Sequence, residues 1–180
     1  MDLLFPPVAE ADLDDLVALL SSETWPFHGD PQPTAARVRE RVAEGAWTRG
    51  PDTAPHWIEL GGERVGLVTL RELEDPTPVF DLRLRAACRG RGIGGRALEW
   101  LARETFEVHG KHRLEGHTRR DNRAMRRVFE RSPGWVLEGC YRQAWPDPAG
   151  AWHDALAYAL LARDWREGTV TSNGLVLAGD

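Results

Sequence analysis

The chain contains 180 residues, of which 42% are hydrophobic and 28% are charged, and its formal net charge is −5. This composition is typical of one globular domain with a buried core, without the apolar run of roughly 20 residues that a membrane span requires and without the basic start of a signal peptide. The negative charge argues against a general nucleic-acid surface and mildly favours a cationic partner such as an amine.

The first half of the chain is predicted to form a short strand, two helices and a β-hairpin. Acidic residues in the first helical turn and apolar residues at helical spacing support a helix from near Glu10. Thr34 is placed to cap a second, polar helix, and Gly61-Gly62 is a hairpin signal between two strands. The predicted ranges are a strand at 3–5, a helix from about 10, a helix from 35 to about 44, and strands at 55–60 and 64–71.

The second half is predicted to continue the sheet around a single crossover connection. The predicted ranges are strands at 79–85 and 112–118, a helix at 93–108, a helix opened by Asn122, and strands at 135–144 and 152–162. The resulting order, β-α-α-β-β-β-α-β-α-β-β, indicates a single mixed α/β domain over residues 1–165. Residues 166–180 are predicted to be a polar tail that ends in one apolar patch, Leu175 to Leu177.

The most informative segment is Arg89-Gly90-Arg91-Gly92-Ile93-Gly94-Gly95, which we call the glycine loop. It lies between a predicted strand and a predicted helix. Glycines allow positive φ angles and a close approach of the backbone to a ligand, and a helix N-terminus offers free N–H groups and a partial positive charge. A glycine-rich turn without a ligand would leave Arg89, Arg91 and Arg96 crowded at a positive helix end. The loop therefore predicts a pyrophosphate cradle.

A dinucleotide site is the alternative interpretation of these glycines. Gly90-x-Gly92-x-x-Gly95 fits the dinucleotide pattern, and Glu115 lies where the ribose-binding acid belongs. However, residues 80–85 alternate between apolar and polar, as in a half-exposed strand, whereas the first strand of a dinucleotide fold is apolar throughout. Residues 86–88 also separate the strand from the glycines, where a tight turn is required. A nicotinamide-dinucleotide domain is therefore the weaker alternative.

Several segments resemble one known superfamily. Arg89, Gly92 and Gly94 match the signature [Gln/Arg]-x-x-Gly-x-[Gly/Ala], and the segment from His112 to Asn122 resembles the strand-to-helix segment that precedes the family's asparagine. On these motifs the chain resembles the GNAT superfamily of acyl-CoA-dependent N-acetyltransferases. Residues 127–135 resemble a further stretch of this superfamily. Residues 138–140 and 154–165 resemble the end of its RimJ/RimL-like branch, which acetylates ribosomal-protein N-termini. The similarity covers roughly residues 1–165.

The resemblance implies a mixed, mostly antiparallel sheet flanked by helices, with acetyl-CoA as co-substrate where two strands splay apart. Backbone groups of Leu84, Arg85 and Ala86 would hold the pantetheine arm, and Asn122 would bond to it. Arg127 would touch the adenosine phosphates, although a solvated helix charge is an equally open interpretation. The residues whose amides would surround the pyrophosphate are Arg89, Gly90, Arg91, Gly92, Ile93, Gly94 and Gly95.

Acetyl transfer to an amine requires a base for the ammonium and a donor to the thioester oxygen, and a proton donor assists the departing thiolate. His117 is the first candidate for the base, because it lies five residues before Asn122, where some N-terminal acetyltransferases of this superfamily carry a glutamate. An imidazole titrating near pH 6.5 suits that task. A histidine half buried on the sheet face is the alternative. Asp81 is the second candidate, unless it simply pairs with Arg83 or Arg113.

The proton donor is where the chain departs from the family. Many relatives carry a tyrosine seven residues after the asparagine, where this chain has Phe129, and Met125 and Trp145 replace two further polar residues. The thiolate then leaves with the help of water, or Tyr141 or Tyr158 donates the proton. The remaining alternative is a catalytically inactive CoA-binding sensor or regulatory module with the same fold.

Aromatic residues indicate where the acceptor binds. Trp25 and His28 lie between the first two helices, the segment that usually covers the acceptor in this fold, and Trp145 lies near the loop between the last two strands. Such rings can hold a cation by cation–π attraction worth about 0.5–2 kcal/mol, or simply be buried. The predicted acceptor is a primary amine of a protein N-terminus, a polyamine or an aminoglycoside-like small molecule.

The two cysteines carry no signal for a metal or a disulfide framework. Cys88 and Cys140 have no metal-ligand spacing, and no metal is expected. A reducing cytoplasm is the expected location. Neither nucleic acid nor a membrane is expected as a partner. The tail from Glu167 is a candidate for packing on a second subunit in a homodimer.

Overall fold

The structure is a computed structural model that describes residues 2–174. The predicted apolar patch Leu175 to Leu177 lies outside the described residues. The strands are β1 (Leu3–Leu4), β2 (Thr53–Leu60), β3 (Glu63–Arg71), β4 (Val79–Leu84), β5 (Arg113–Arg119), β6 (Val136–Pro146) and β7 (Trp152–Leu161). The helices are α1 (Leu13–Ser22), α2 (Ala35–Ala43), α3 (Ile93–Arg103), α4 (Arg123–Arg131) and α5 (Ala162–Glu167).

The seven strands form one sheet in the order β1-β2-β3-β4-β5-β7-β6. Every neighbouring pair is antiparallel except β4 and β5, which are joined by the crossover that carries α3. β4 and β5 pair at Val79 and Glu115, where the Glu115 amide donates to the Pro78 carbonyl over 3.0 Å. No further pairing joins these two strands among the described residues. We call the space beyond that pair the β4–β5 opening, and the predicted fold class, with its single crossover, is confirmed.

Helices cover both sides of the sheet. α3 and α4 pack on one face, where the buried side chains include Ile58, Leu98 and Phe129. α1 and α2 pack on the other face over a second apolar cluster that includes Trp57 and Leu67. None of the described helices combines the length and apolar character needed to cross a bilayer.

Helix starts agree with the predicted caps. The Thr34 hydroxyl accepts from the Arg37 amide, and the Asn122 side chain accepts from the Met125 amide, so each residue satisfies an N–H group that the helix leaves free. The helix α5, which was not predicted, follows β7 directly and overlaps only the first two residues of the predicted polar tail. Its Trp165 packs on Phe106 with ring centroids 5.6 Å apart.

The prediction that β4 is half exposed is wrong. Arg83 is only 7% exposed, and its guanidinium lies 5.5 Å from the ring centroids of both Trp25 and Trp47. The alternation of apolar and polar residues is real, but the segment between α1 and α2, together with Trp47, covers the polar side. Two of the charged residues on that side, Arg83 and Asp81, pair with each other.

Candidate active site

The glycine loop presents a row of free amides next to the β4–β5 opening. Gly90 and Gly92 have φ angles of 73° and 79°, which strongly favour glycine. No acceptor for the backbone amides of residues 90–95 is found among the described residues, and Gly92 is the N-cap of α3. Successive free amides at a helix N-terminus form a site for an anion.

The surroundings of this loop are basic and closely packed. A Cβ atom on Gly94 would lie 3.2 Å from a methyl group of Val128, so glycine allows α3 and α4 to approach. Arg91, Arg96 and Arg127 are all exposed. Their guanidinium groups make no hydrogen bond or ion pair with another described residue, so their charges are available to a ligand.

Arg89 faces away from this row of amides. Its Nε donates to the Leu84 carbonyl and its Nη2 donates to the Thr24 carbonyl, each over 3.0 Å. The side chain of Arg89, the first residue of the motif, is therefore hydrogen-bonded within the protein, and only its backbone forms part of the glycine loop. Nothing in the sequence indicated these partners.

The backbone groups predicted to hold the pantetheine arm have partners within the protein. The Arg85 amide donates to the Val65 carbonyl, and the Ala86 amide donates to Oε2 of Glu23 over 3.1 Å. The Leu84 carbonyl accepts from Arg89. Glu23, which the sequence did not indicate, thus accepts a hydrogen bond from an amide at the end of β4.

Asn122 lies at the end of β5, beside the β4–β5 opening. Its Oδ1 caps α4, and its Nδ2 donates to the Thr118 hydroxyl over 2.9 Å. One Nδ2 hydrogen remains for a ligand after these contacts, because a primary amide carries two donors.

His117 and Glu115 lie on the same side of β5. Glu115 is in register with Val79, and side chains two residues apart share a face, so Glu115, His117, Asp81 and Arg83 all lie on one side of the opening. His117 is 44% exposed, and its Nε2 lies 3.1 Å from Oε2 of Glu115. Burial raises the pKa of Glu115, but hydrogen bonds and charge from Arg113 and His117 outweigh it and the pKa is lowered.

Asp81 forms a buried pair with Arg83 rather than standing free as a base. The Arg83 Nε and Nη2 donate to its two oxygens over 2.8 and 3.2 Å. Burial opposes ionisation of Asp81, but the charges of Arg83 and His28 outweigh it and hold its pKa well below the usual range. The carboxylate is therefore ionised and is too weak a base to take a proton from an ammonium.

His28 reaches the same place from the segment between α1 and α2. Its Nε2 lies 3.7 Å from Asp81 Oδ2, and its Nδ1 is buried without a hydrogen-bond partner among the described residues. Burial lowers the pKa of His28 to about 4, against the attraction of Asp81. A neutral imidazole therefore lies over β4 at neutral pH.

Tyr141 lies away from the opening, whereas Phe129 packs against the strands that border it, at Phe80 and Gly116. Tyr141 is on β6, with β7 between it and β5, so its backbone is roughly 10 Å from that of Arg119 at the usual strand spacing. This separation argues against Tyr141 as the proton donor. Phe129 is fully buried and stacks on Tyr158 with ring centroids 4.4 Å apart.

The three residues predicted to contact the acceptor differ in their exposure. Trp25 is 1% exposed and its Nε1 donates to the Leu20 carbonyl over 2.9 Å, so it supports the site from within and does not line it. Trp145 is half buried opposite His153, and the neighbouring Trp152 is exposed. Phe27, which lies 5.3 Å from the Arg119 guanidinium, reaches β5 as His28 reaches β4.

Comparisons with known proteins agree with this geometry. A family model described as an acetyltransferase (GNAT) domain matches residues 2–132. The comparison with curated proteins finds no match.

Solved structures share the fold. Spermidine N-acetyltransferase from Vibrio cholerae in complex with CoA and spermine superposes with a TM-score of 0.76 at 16% identity, over 91% of this chain and 98% of that one. RimJ from Mycobacterium smegmatis in complex with CoA-disulfide superposes with a TM-score of 0.76 at 22% identity, over 90% of this chain and 83% of that one. RimL, a ribosomal L7/L12 α-N-protein acetyltransferase in complex with CoA, superposes with a TM-score of 0.77 at 22% identity, over 88% of this chain and 93% of that one.

Proposed function

Since this chain belongs to the GNAT acetyltransferase domain family, we propose that it transfers an acetyl group from acetyl-CoA to the α-amine of a protein or peptide N-terminus. The observation that carries the proposal is the β4–β5 opening, with free loop amides at one end and the His117–Glu115 pair on its face. Both cysteines are free thiols, which agrees with a reducing compartment such as the cytoplasm.

The donor binds through the glycine loop. Six consecutive amides, the positive end of α3 and the charges of Arg91, Arg96 and Arg127 suit the pyrophosphate and adenosine phosphates. The bound thioester supplies the electrophilic acetyl carbon. Asn122 has one amide hydrogen left for the pantetheine arm.

His117 takes the proton from the amine. The Glu115 carboxylate accepts the Nε2 hydrogen, which fixes the tautomer and leaves the Nδ1 lone pair for the acceptor. An exposed side chain can meet an incoming amine. The proton that His117 accepts is then available to the thiolate, which explains how the chain works with Phe129 in place of a tyrosine.

The charges around the opening favour a single ammonium over a polyamine. The carboxylates of the strands that border the opening already have cationic partners: Asp81 pairs with Arg83, and Glu115 pairs with Arg113. Asp121, just after β5, pairs with Arg119. A polyamine carries several positive charges and requires several unpaired carboxylates. A peptide N-terminus carries one positive charge, and Phe27, which lies against Arg119, can pack on its side chains.

Donor binding is tested by titration calorimetry and thermal shift with acetyl-CoA, CoA and NAD. We expect both CoA forms to bind and stabilise the protein. Gly92→Ala should weaken CoA binding at least tenfold because it strains a left-handed residue inside the cradle. The matched control is Gly62→Ala, since Gly62 has a φ of 86° in the β2–β3 turn and equally open surroundings. Stabilisation by NAD and not by either CoA form would refute the proposal.

The acceptor is tested by thiol release from acetyl-CoA. The panel contains spermidine, kanamycin and three tetrapeptides that begin with Ser, Ala or Met. We expect the highest kcat/KM with a peptide, and acetylation at the α-amine by mass spectrometry. Faster reaction with spermidine would overturn the acceptor class and leave the enzyme class intact, whereas CoA binding without thiol release from any amine would favour a sensor.

A further inference from the structure

The segment between α1 and α2, residues 23–34, which we call the connector, contains a closed loop. The Trp25 amide donates to the Pro31 carbonyl over 2.7 Å, and the His28 amide donates to the Trp25 carbonyl over 3.0 Å. The buried Trp25 ring is also bonded to the end of α1. The two ends of residues 25–31 are therefore held together by hydrogen bonds within the connector.

Two hydrogen bonds join this connector to the chain that leads into the glycine loop. Arg89 donates to the Thr24 carbonyl, and the Ala86 amide donates to the Glu23 carboxylate. Arg89 also donates to the Leu84 carbonyl, within the chain that leads into the loop. The Arg89 guanidinium also lies 5.9 Å from the Trp25 ring centroid. A planar guanidinium can bond two carbonyls from fixed directions, which a lysine ammonium on its flexible stem does not reproduce.

The other side of the connector lies over the β4–β5 opening. His28 faces Asp81 on β4, and the Phe27 ring lies against Arg119 on β5. A continuous series of contacts thus runs from the glycine loop through Arg89 and Trp25 to the face where an acceptor would bind.

We propose that Arg89 is a positioning residue that couples the donor site to the acceptor wall, rather than a ligand of the donor phosphates. The proposal rests on the proposed function, since it takes the glycine loop as the CoA site. A bound donor fixes the loop, and Arg89 and Glu23 then fix the connector against β4 and β5. By linkage, donor and acceptor strengthen each other's binding by the same factor, and couplings of this kind are roughly 5- to 150-fold.

Hydrogen exchange of residues 23–34 with and without saturating CoA tests the coupling. In the wild type we expect CoA to slow exchange of the connector at least fivefold, and in Arg89→Lys less than twofold. Arg91→Lys is the matched control, since it changes the same residue type in the same loop. It should retain the protection once CoA is saturating. Protection in Arg89→Lys equal to that of the wild type would overturn the coupling.

Binding and kinetics separate positioning from phosphate binding. Arg89→Lys should raise the KM for the fastest peptide at least fivefold and change the Kd for CoA less than twofold. A larger loss of CoA affinity in Arg89→Lys than in Arg91→Lys would make Arg89 a phosphate ligand and refute the proposal. Glu23→Ala, which removes the acceptor of the Ala86 amide, should shift the KM in the same direction and provides the test if Arg89→Lys fails to fold. Failure of the wild type to bind CoA would refute the proposed function and this coupling with it.

Discussion

At the scale of single residues, two histidines near the opening differ in what their environment permits. His117 is exposed beside an ionised carboxylate, so its free nitrogen can accept a proton from a ligand. His28 is neutral because burial lowers its pKa to about 4, and its unpartnered Nδ1 is enclosed. The proposed base is therefore His117, and His28 is proposed to shape the wall of the opening.

His117→Gln should lower kcat with the fastest peptide about 10²- to 10⁴-fold, the usual range for a general base. The acid limb of the pH–rate profile should disappear, because no imidazole then needs to be neutral for reaction. His112→Gln, at an exposed position before β5, is the control. An unchanged profile in His117→Gln, with CoA affinity also unchanged, would exclude His117 as the base.

The geometry of the glycine loop could be predicted from the sequence better than the surroundings of β4. The glycine loop is a continuous segment whose φ angles and free amides follow from local chemistry, so it could be predicted from residue types alone. The roles of Asp81 and Trp25 depend on what covers β4, and that covering comes from a segment more than 50 residues away from Asp81. Glu23 carries no local signal at all.

At the scale of elements, the β3–β4 pair depends on one close approach. A Cβ atom on Gly66 would overlap the carbonyl oxygen of Arg83 and the side chain of Leu84. Gly66 has an ordinary negative-φ conformation, so the constraint is space and not backbone angle. It holds β4, and with it the Asp81–Arg83 pair, at a fixed distance from β3.

Gly66→Ala should destabilise the protein by about 1–3 kcal/mol, because the backbone of β4 must shift to admit the methyl group. Urea unfolding followed by far-UV circular dichroism measures the change. Gly50→Ala is the matched control, since nothing lies within 4 Å of the added Cβ atom there. Equal stability of the two variants would show that β3 and β4 can separate without cost.

The elements themselves were predictable where a cap or turn fixes them. Thr34 and Asn122 begin their helices as predicted, and Gly61-Gly62 joins β2 and β3. The short α5 was missed because six residues give too little periodicity to distinguish a helix from a tail. The prediction that β4 is half exposed was wrong because the alternation of residues along a strand indicates two different faces but does not indicate what packs on each face.

At the scale of the whole molecule, buried histidines make stability depend on pH. His56, on β2, is buried against Trp100, and burial, with the charge of Arg49, lowers its pKa to about 4. Burial and the charges of Arg83 and Arg89 do the same to His28, against Asp81. Both side chains stay neutral in the folded protein over a pH range in which they are protonated in the unfolded chain.

The free energy of unfolding should therefore fall on acidification from about pH 6.5 to pH 4. Over that range the unfolded chain binds more protons at His28 and His56 than the folded chain does. The stability is therefore fully present above the pKa of the unfolded chain and is lost as the pH falls towards the pKa of the folded chain. The loss should be on the order of a few kcal/mol in urea melts. The double variant His28→Gln, His56→Gln should flatten this slope, and His112→Gln should retain it. A slope that survives in the double variant would show that other groups carry the acid sensitivity.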